Sequence, residues 1–409
     1  MNQDIEIEDL LEDLVTFRRD IHANPELAYK EVKTAEKVAD SLREIGLDVT
    51  TGVGKTGVVG SLKVGNSSRS IGLRADMDAL PIVEETGLPY ASCHHGVFHG
   101  CGHDGHTTML LGAARHLART RNFDGTVHFI FQPAEEGEAG AKAMIDDGLF
   151  ERFPCDRVYA FHNWPDLPAG TISTRCGPIM AAADKFSIQV KGKGGHAAVP
   201  HQTPDAILAA SELVSQLNTI VSRRISPTST AVLSVTQISG GNSHNVLPSS
   251  VSLTGTVRTF DPHVQDLIEA AVRQVITGVS VATGTQISID YQRYYPATIN
   301  ASVAAEHALM VAKRVGNAVE APEPAFTSED FAFMLQACEG AYVWVGQGTS
   351  GEHIPLHHPG YDFNDGIIAT GVKLHVALVE DFLPSNSGST QENDLIDHAK
   401  QQNVSCCQR

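Results

Sequence analysis

The chain has 409 residues, 42% hydrophobic and 19% charged, enough apolar material for packed cores and a length that suggests two or three domains at about 150 residues each. Thirty basic residues against 48 acidic ones leave a net charge of −18, which repels phosphate backbones and argues against a nucleic-acid partner. No apolar run approaches the ~20 residues of a membrane helix, the acidic start MNQDIEIEDLLEDL is unlike a signal peptide, and seven scattered cysteines do not form a disulfide framework, so a cytoplasmic protein with no membrane partner is expected.

In chain order, Ile7, Leu10, Leu11, Leu14 and Phe17 fall at helical spacing, Asn24-Pro25 marks a turn, and a second helix over 29–45 is closed by Gly46. Apolar runs at 57–64 and 70–74 suit buried strands, followed by a helix over 107–117, a strand over 126–132 and a short helix over 139–147. Strands alternating with helices predict an α/β layered domain with a largely parallel sheet. From Asp184 the pattern changes to a strand at 185–191, a long amphipathic helix at 204–225, strands at 231–238 and 251–259, a helix at 262–283 and a strand at 286–293. That β-α-β-β-α-β order predicts a ferredoxin-like unit inserted into the first domain. A helix at 303–315 and a strand at 341–345 then resume the α/β pattern. The expected division is a discontinuous first domain (1–183 and 298–383), an inserted domain (184–297) and a polar tail (384–409).

Gly52-Val53-Gly54-Lys55-Thr56-Gly57 matches a phosphate-loop spacing, but an apparent strand follows it instead of a helix, so it reads as a hairpin turn. Nineteen histidines are present, and His99, His103 and His106 share eight residues with Cys101 and Asp104 in HGCGHDGH (99–106). Thiol, imidazole and carboxylate donors suit borderline divalent ions such as zinc and manganese, and the glycines let the loop fold its donors onto one point. Glu135 and Glu136 are adjacent after an apparent buried strand; one could ligate metal while the other acts as general base, and a solvated acidic turn is the competing reading. His162, the pair His357-His358, and Asp76 with Asp78 also stand at the ends of apparent strands or in loops, where open α/β sheets gather their ligands. In the inserted unit, His196 and Asn245 lie on glycine-rich bends, and Arg258 ends a strand, where it could grip a carboxylate.

Taken together, RADMDALP (74–81), HGCGHDGH (99–106), QPAEEG (132–137), FHNWP (161–165), GKGGHAAVPH (192–201), GTVRTFD (255–261), SEDF (328–331) and LHHPGYDFND (356–365) resemble the aminoacylase, hippurate hydrolase and auxin-conjugate amidohydrolase branch of the dinuclear metallopeptidases, over roughly residues 8 to 383. The resemblance implies a metal-binding catalytic α/β domain with an inserted lid and dimerisation domain, and two divalent ions (Mn or Zn, with Co or Ni as alternatives) held by Cys101, His103, Glu136, His162 and His357, with the Cys101 thiolate bridging. It implies Glu135 as general base, Asp78 as the residue that orients a ligand, and His196, Asn245 and Arg258 as groups that reach the substrate, His196 often from the partner subunit of a homodimer. The implied reaction is hydrolysis of an N-acyl amino acid to a carboxylic acid and a free amino acid. A dipeptidase with the same chemistry, or a catalytically silent protein that keeps the fold, are the alternatives.

Overall fold

The computed structural model describes residues 7–348 and 354–385. Residues 386–409, most of the polar tail read from the sequence, lie outside them. The chain first lays down β1 (Asp48–Val53), β2 (Gly57–Val64), β3 (Ser70–Asp76), β4 (Gly125–Gln132), β5 (Arg157–Pro168) and β6 (Thr171–Thr174). It then leaves this layer through β7 (Gly177–Met180), β8 (Ala182–Lys191), β9 (Gly195–His196), β10 (Ala231–Ser239), β11 (Val246–Leu247), β12 (Ser250–Thr259), β13 (Gln286–Tyr295) and β14 (Thr298–Asn300). It returns with β15 (Asn317–Glu320) and β16 (Gly340–Gly348).

The large sheet has the order β1-β2-β4-β3-β5-β16-β6-β15. Its centre, β4-β3-β5-β16, is parallel. Every residue of β3 is buried, as expected of a parallel strand covered by helices on both faces. Helices Leu11–Ala23, His103–Thr120 and Ile368–Phe382 pack on one another over this sheet. The second sheet, β10-β12-β8-β13, is wholly antiparallel. Along β8 buried and exposed residues alternate, because one face carries helices Ala206–Leu217 and Pro262–Thr283 and the other is open. Numbered within this unit, the strand order is 2-3-1-4, and the chain order is β-α-β-β-α-β. The expected fold class, a layered α/β domain with an inserted ferredoxin-like unit, is the observed one.

The phosphate-loop spacing is a hairpin: β1 pairs antiparallel with β2, and Val53 faces Gly57 across the turn. The helix expected over 204–225 is two pieces, Ala206–Leu217 and Thr219–Arg224, the first capped by the Asp205 carboxylate on the N–H groups of Ile207 and Leu208. Elements with no counterpart in the sequence reading include β6, β15, helix Phe331–Ala337 and helix Ile368–Phe382. The first three are short, and the last is an Ile/Val-rich run that period alone does not separate from a buried strand. Among the described residues no helix is long and apolar enough to cross a membrane.

The N-terminal helix is tied to the helix that follows the histidine-rich loop by a buried charge cluster. Arg18 Nη1 donates to Asp104 Oδ2 at 3.1 Å, Arg18 Nε approaches Asp365 Oδ1 at 2.7 Å, and His22 Nδ1 lies 2.8 Å from Asp104 Oδ2. Burial pushes His22 down, but the bonds to Asp104 and Glu84 outweigh it and raise its pKa to about 9. A folded-state pKa above the unfolded value of about 6.5 stabilises the fold fully below that pH, and the contribution is lost as pH rises through about 9. His22→Gln is therefore expected to flatten the fall in denaturation midpoint between pH 6.5 and 9, measured by urea titration at several pH values.

Candidate metal centre

The loop that carries Cys101 and His103 ends on Gly102, which has φ +94° and caps helix His103–Thr120. A Cβ at Gly102 would stand 2.3 Å from Asn163 Oδ1 and 2.8 Å from the Tyr361 hydroxyl, so only glycine lets the loop close against β5. His103 Nδ1 donates to the Asp78 carbonyl at 2.9 Å. Its Nε2 is buried without a hydrogen-bond partner. His162, on β5, donates from Nδ1 to the Asn163 carbonyl at 2.7 Å and leaves Nε2 3.4 Å from Cys101 Sγ. His357 enters from the far side on a residue with φ +65°, its N–H bonded to the Gly100 carbonyl at 2.8 Å and its Nε2 3.1 Å from Glu136 Oε1. Neighbouring His358 is exposed and uses Nδ1 to accept the Gly360 N–H.

Glu135 and Glu136 follow β4 on a turn flanked by Ala134 and Ala139, both at φ +55°. Asp78 holds this turn as well as His103: its carboxylate accepts the N–H of Glu135 at 3.1 Å and of Glu136 at 2.9 Å. The donor atoms of Cys101, His103 and His162 lie within 4.8 Å of one another, and so do those of Cys101, Glu136 and His357. The sulfur of Cys101 is thus common to two three-donor clusters. A third group, Asp76, His103 and His106, is differently placed. There His106 already bonds Asp76 at 2.6 Å through Nδ1 and accepts the Asn163 N–H at 3.1 Å through Nε2.

The charges in this region call for a cation. Burial, reinforced by Glu136 and Glu135, pushes the Cys101 thiol well above its usual range. Burial and the neighbouring Glu329, Glu136 and Asp330 carboxylates push Glu135 well up. Burial and His106 hold His162 well below the usual histidine range, as the neutral imidazole a metal ligand must be. A divalent ion relieves each carboxylate and thiolate of this crowding, and the buried His103 Nε2 makes no hydrogen bond. The residues present therefore fit a pair of divalent ions.

A cavity of about 530 Å³ opens over the clusters and is lined by Cys101, Glu135, Glu136, His162 and His357, with Arg258 on its wall. His196 and Asn245 are not there. Both are exposed, on the small β9–β11 ribbon, where the Ala197 N–H bonds the Asn245 carbonyl and His196 faces Val246. That ribbon adjoins the end of β12 where Ser250 faces Lys191, whereas Arg258 is at the opposite end, facing Ala183. At roughly 3.4 Å per residue the eight-residue separation is about 27 Å. One copy of the chain therefore joins Arg258, and not His196 or Asn245, to Cys101 and Glu135.

The sequence reading missed several lining residues, among them Trp164, Tyr294, Tyr295 and Glu329. Trp164 and Glu329 stand within motifs quoted above without a role. The two tyrosines carried no signal beyond their position at a strand end.

Comparison with known proteins agrees with this geometry. A model of peptidase family M20/M25/M40 matches residues 72–381. The hippurate hydrolase of Campylobacter jejuni is 42% identical over 386 residues, 94% of this chain and 100% of that one. The N-acetyl-L-cysteine deacetylase of Bacillus subtilis is 37% identical, over 94% of this chain and 92% of its own. A solved Bacillus subtilis structure, described as a dinuclear metal binding peptidase from the M20 family, superposes with a TM-score of 0.79 at 34% identity, over 91% of this chain and 98% of that one. Fold, cavity and sequence agree: the chain belongs to peptidase family M20/M25/M40 and is a hydrolase of amide bonds.

Proposed function

We propose that the chain is a metal-dependent amidohydrolase that cleaves N-acyl amino acids, hippurate-like or N-acetylated, to a carboxylic acid and a free amino acid. The observation that carries this reading is the sulfur of Cys101 shared by two donor clusters, His103 with His162 and Glu136 with His357, under a cavity that also holds Glu135 and Arg258. In this reading those five residues hold two divalent ions, manganese or zinc, with cobalt or nickel as substitutes. Bound divalent ions supply Lewis acidity to the scissile carbonyl and to the attacking water.

The chain's own residues do the rest. Glu135 takes the proton of the water and passes it to the leaving amine. Asp78 orients His103 through its carbonyl and holds the Glu135-Glu136 turn through its carboxylate. Arg258, half-buried on the cavity wall, pairs with the substrate carboxylate and fixes the amide over the metals. His196 and Asn245, on the ribbon at the end of β12 opposite Arg258, serve the cavity of a second copy, where His196 stabilises the oxyanion. The reading therefore includes a homodimer, with residues 184–297 as lid and dimerisation domain on a catalytic domain made of 1–183 and 298–383. A free, buried Cys101, with Cys93, Cys155, Cys176 and Cys338 also free among the described residues, suits the reducing cytoplasm.

Turnover of N-acetyl, N-benzoyl and dipeptide substrates with each metal supplied tests the reading directly. Glu135→Gln is expected to keep fold and metal content and to lose at least ~10² in kcat, checked by metal analysis and turnover on one preparation. Cys101→Ala is expected to lower metal occupancy at both positions, read by equilibrium dialysis; unchanged affinity for two ions would remove the bridging role. When inactive His196→Ala and Glu135→Gln proteins exchange subunits, half the dimers are mixed and each holds one intact site, so recovery to about a quarter of wild-type activity is expected. No recovery, with exchange confirmed by mass spectrometry, would place His196 in its own subunit or outside catalysis.

A further inference from the structure

The turn that carries Glu135 and Glu136 is one short helical turn, Glu135–Glu138, closed by the Gly140 N–H on the Ala134 carbonyl at 3.0 Å, and side chains from elsewhere brace it. Its backbone leaves the helical region at Ala134, Gly137 and Ala139, all with positive φ, and its polar groups are met by side chains from elsewhere. Glu31 accepts the Ala134 N–H at 2.9 Å, Asp78 accepts those of Glu135 and Glu136, and the Tyr29 hydroxyl donates to the Glu138 carbonyl at 2.9 Å. The hydroxyl of Tyr295 makes three contacts: it donates to the Glu135 carbonyl at 2.5 Å and accepts the N–H groups of Gly137 at 3.0 Å and Ala139 at 3.2 Å. Ala134 and Glu135 are buried, so their backbone polar groups must be paired, and with the bonds to Gly137 and Ala139 these side chains brace the turn.

Tyr295 is the last residue of β13, on the inserted unit, and it reaches the turn because of a β-bulge. Arg293 faces Asp184 and Tyr295 faces Ala183, so Tyr294 is an extra residue on the strand. Up to Arg293 the odd-numbered side chains of β13 face the helices: Ile287, Ile289 and Tyr291 pack on that core, and Arg293 pairs with Asp266 and Glu269. One extra residue reverses the alternation and turns Tyr295 to the cavity side. There its ring stacks on Tyr294 at 4.3 Å and meets Phe333 edge-on at 6.1 Å. Tyr294 approaches closely as well, since a Cβ on Gly137 would stand 2.9 Å from its hydroxyl.

We infer that Tyr295 is a positioning residue for the base: its hydroxyl, delivered by the bulge, clamps the turn and fixes Glu135 in the geometry for proton transfer. This rests on the role proposed above for Glu135. The test is Tyr295→Phe, which removes the hydroxyl and keeps both ring contacts. Amide hydrogen exchange, monitored by mass spectrometry, is expected to accelerate at least about tenfold at Gly137 and Ala139 and to stay unchanged in β4. On an N-acyl amino acid that the wild type hydrolyses, kcat is expected to fall about tenfold to a hundredfold with KM within about twofold. Unchanged exchange would overturn the clamp. Faster exchange with kcat within about twofold of wild type would overturn the positioning role, and a fall confined to KM would do the same. Exchange spread over the whole inserted unit, with a lowered melting point, would make Tyr295 a packing residue and overturn the inference. A wild type inactive on every N-acyl amino acid would sink the reaction proposed above, while the exchange readout would still decide the clamp.

Discussion

A guanidinium with no access to water organises the site from below. Arg74, on β3, donates from Nε to Gln132 at 2.7 Å, from Nη1 to Asp76 at 2.7 Å, and from Nη2 to Glu329 at 3.0 Å and Asp330 at 3.2 Å. Each partner then holds another part of the centre. Asp76 orients His106, Asp330 bonds the Ala141 N–H behind the glutamate turn, and Glu329 lines the cavity and accepts the Tyr342 hydroxyl at 2.5 Å. A buried charge cluster of this kind stabilises little compared with a well-packed apolar core, but losing one partner leaves a buried charge uncompensated, at about 3–5 kcal/mol. Asp76, Glu329 and Asp330 share this one buried cation.

Backbone strain collects in the same place. Ala134, Ala139 and His357 have positive φ without being glycine, and all three flank or belong to the candidate centre. Such conformations cost about 1–3 kcal/mol each and persist where surrounding contacts overdetermine them. Here those contacts are visible: Glu31 on the Ala134 N–H, Tyr295 on the Ala139 N–H, and the Gly100 carbonyl on the His357 N–H. Contacts of the fold itself therefore hold these residues in place.

The antiparallel sheet of the inserted unit acts as a spacer of fixed length. Its strand β12 sets Arg258 over the cavity and the β9–β11 ribbon at the other end. The strand therefore separates Arg258 from the ribbon that carries His196 and Asn245 within one copy of the chain.

Much of this was legible in the residues. Alternating apolar runs determined the layered α/β class and the β-α-β-β-α-β insertion, because burial of one face or both leaves a period in the sequence. The donors in HGCGHDGH and QPAEEG were legible as well, because thiol, imidazole and paired carboxylates at strand ends are costly to bury without a partner. Helix Ile368–Phe382 and the short strands β6 and β15 were not, since their type is decided by neighbours distant in sequence. Nor did position distinguish His357 from His358, or join Arg258 to the cavity while leaving His196 and Asn245 far from it. Tyr295 depends on a single extra residue in β13, and a bulge shows only when two strands are paired. The sequence by itself determined which chemical groups are present and which faces are buried. Only the tertiary structure decided which of those groups meet, because contacts across hundreds of residues depend on strand order and register, which composition and local period do not encode.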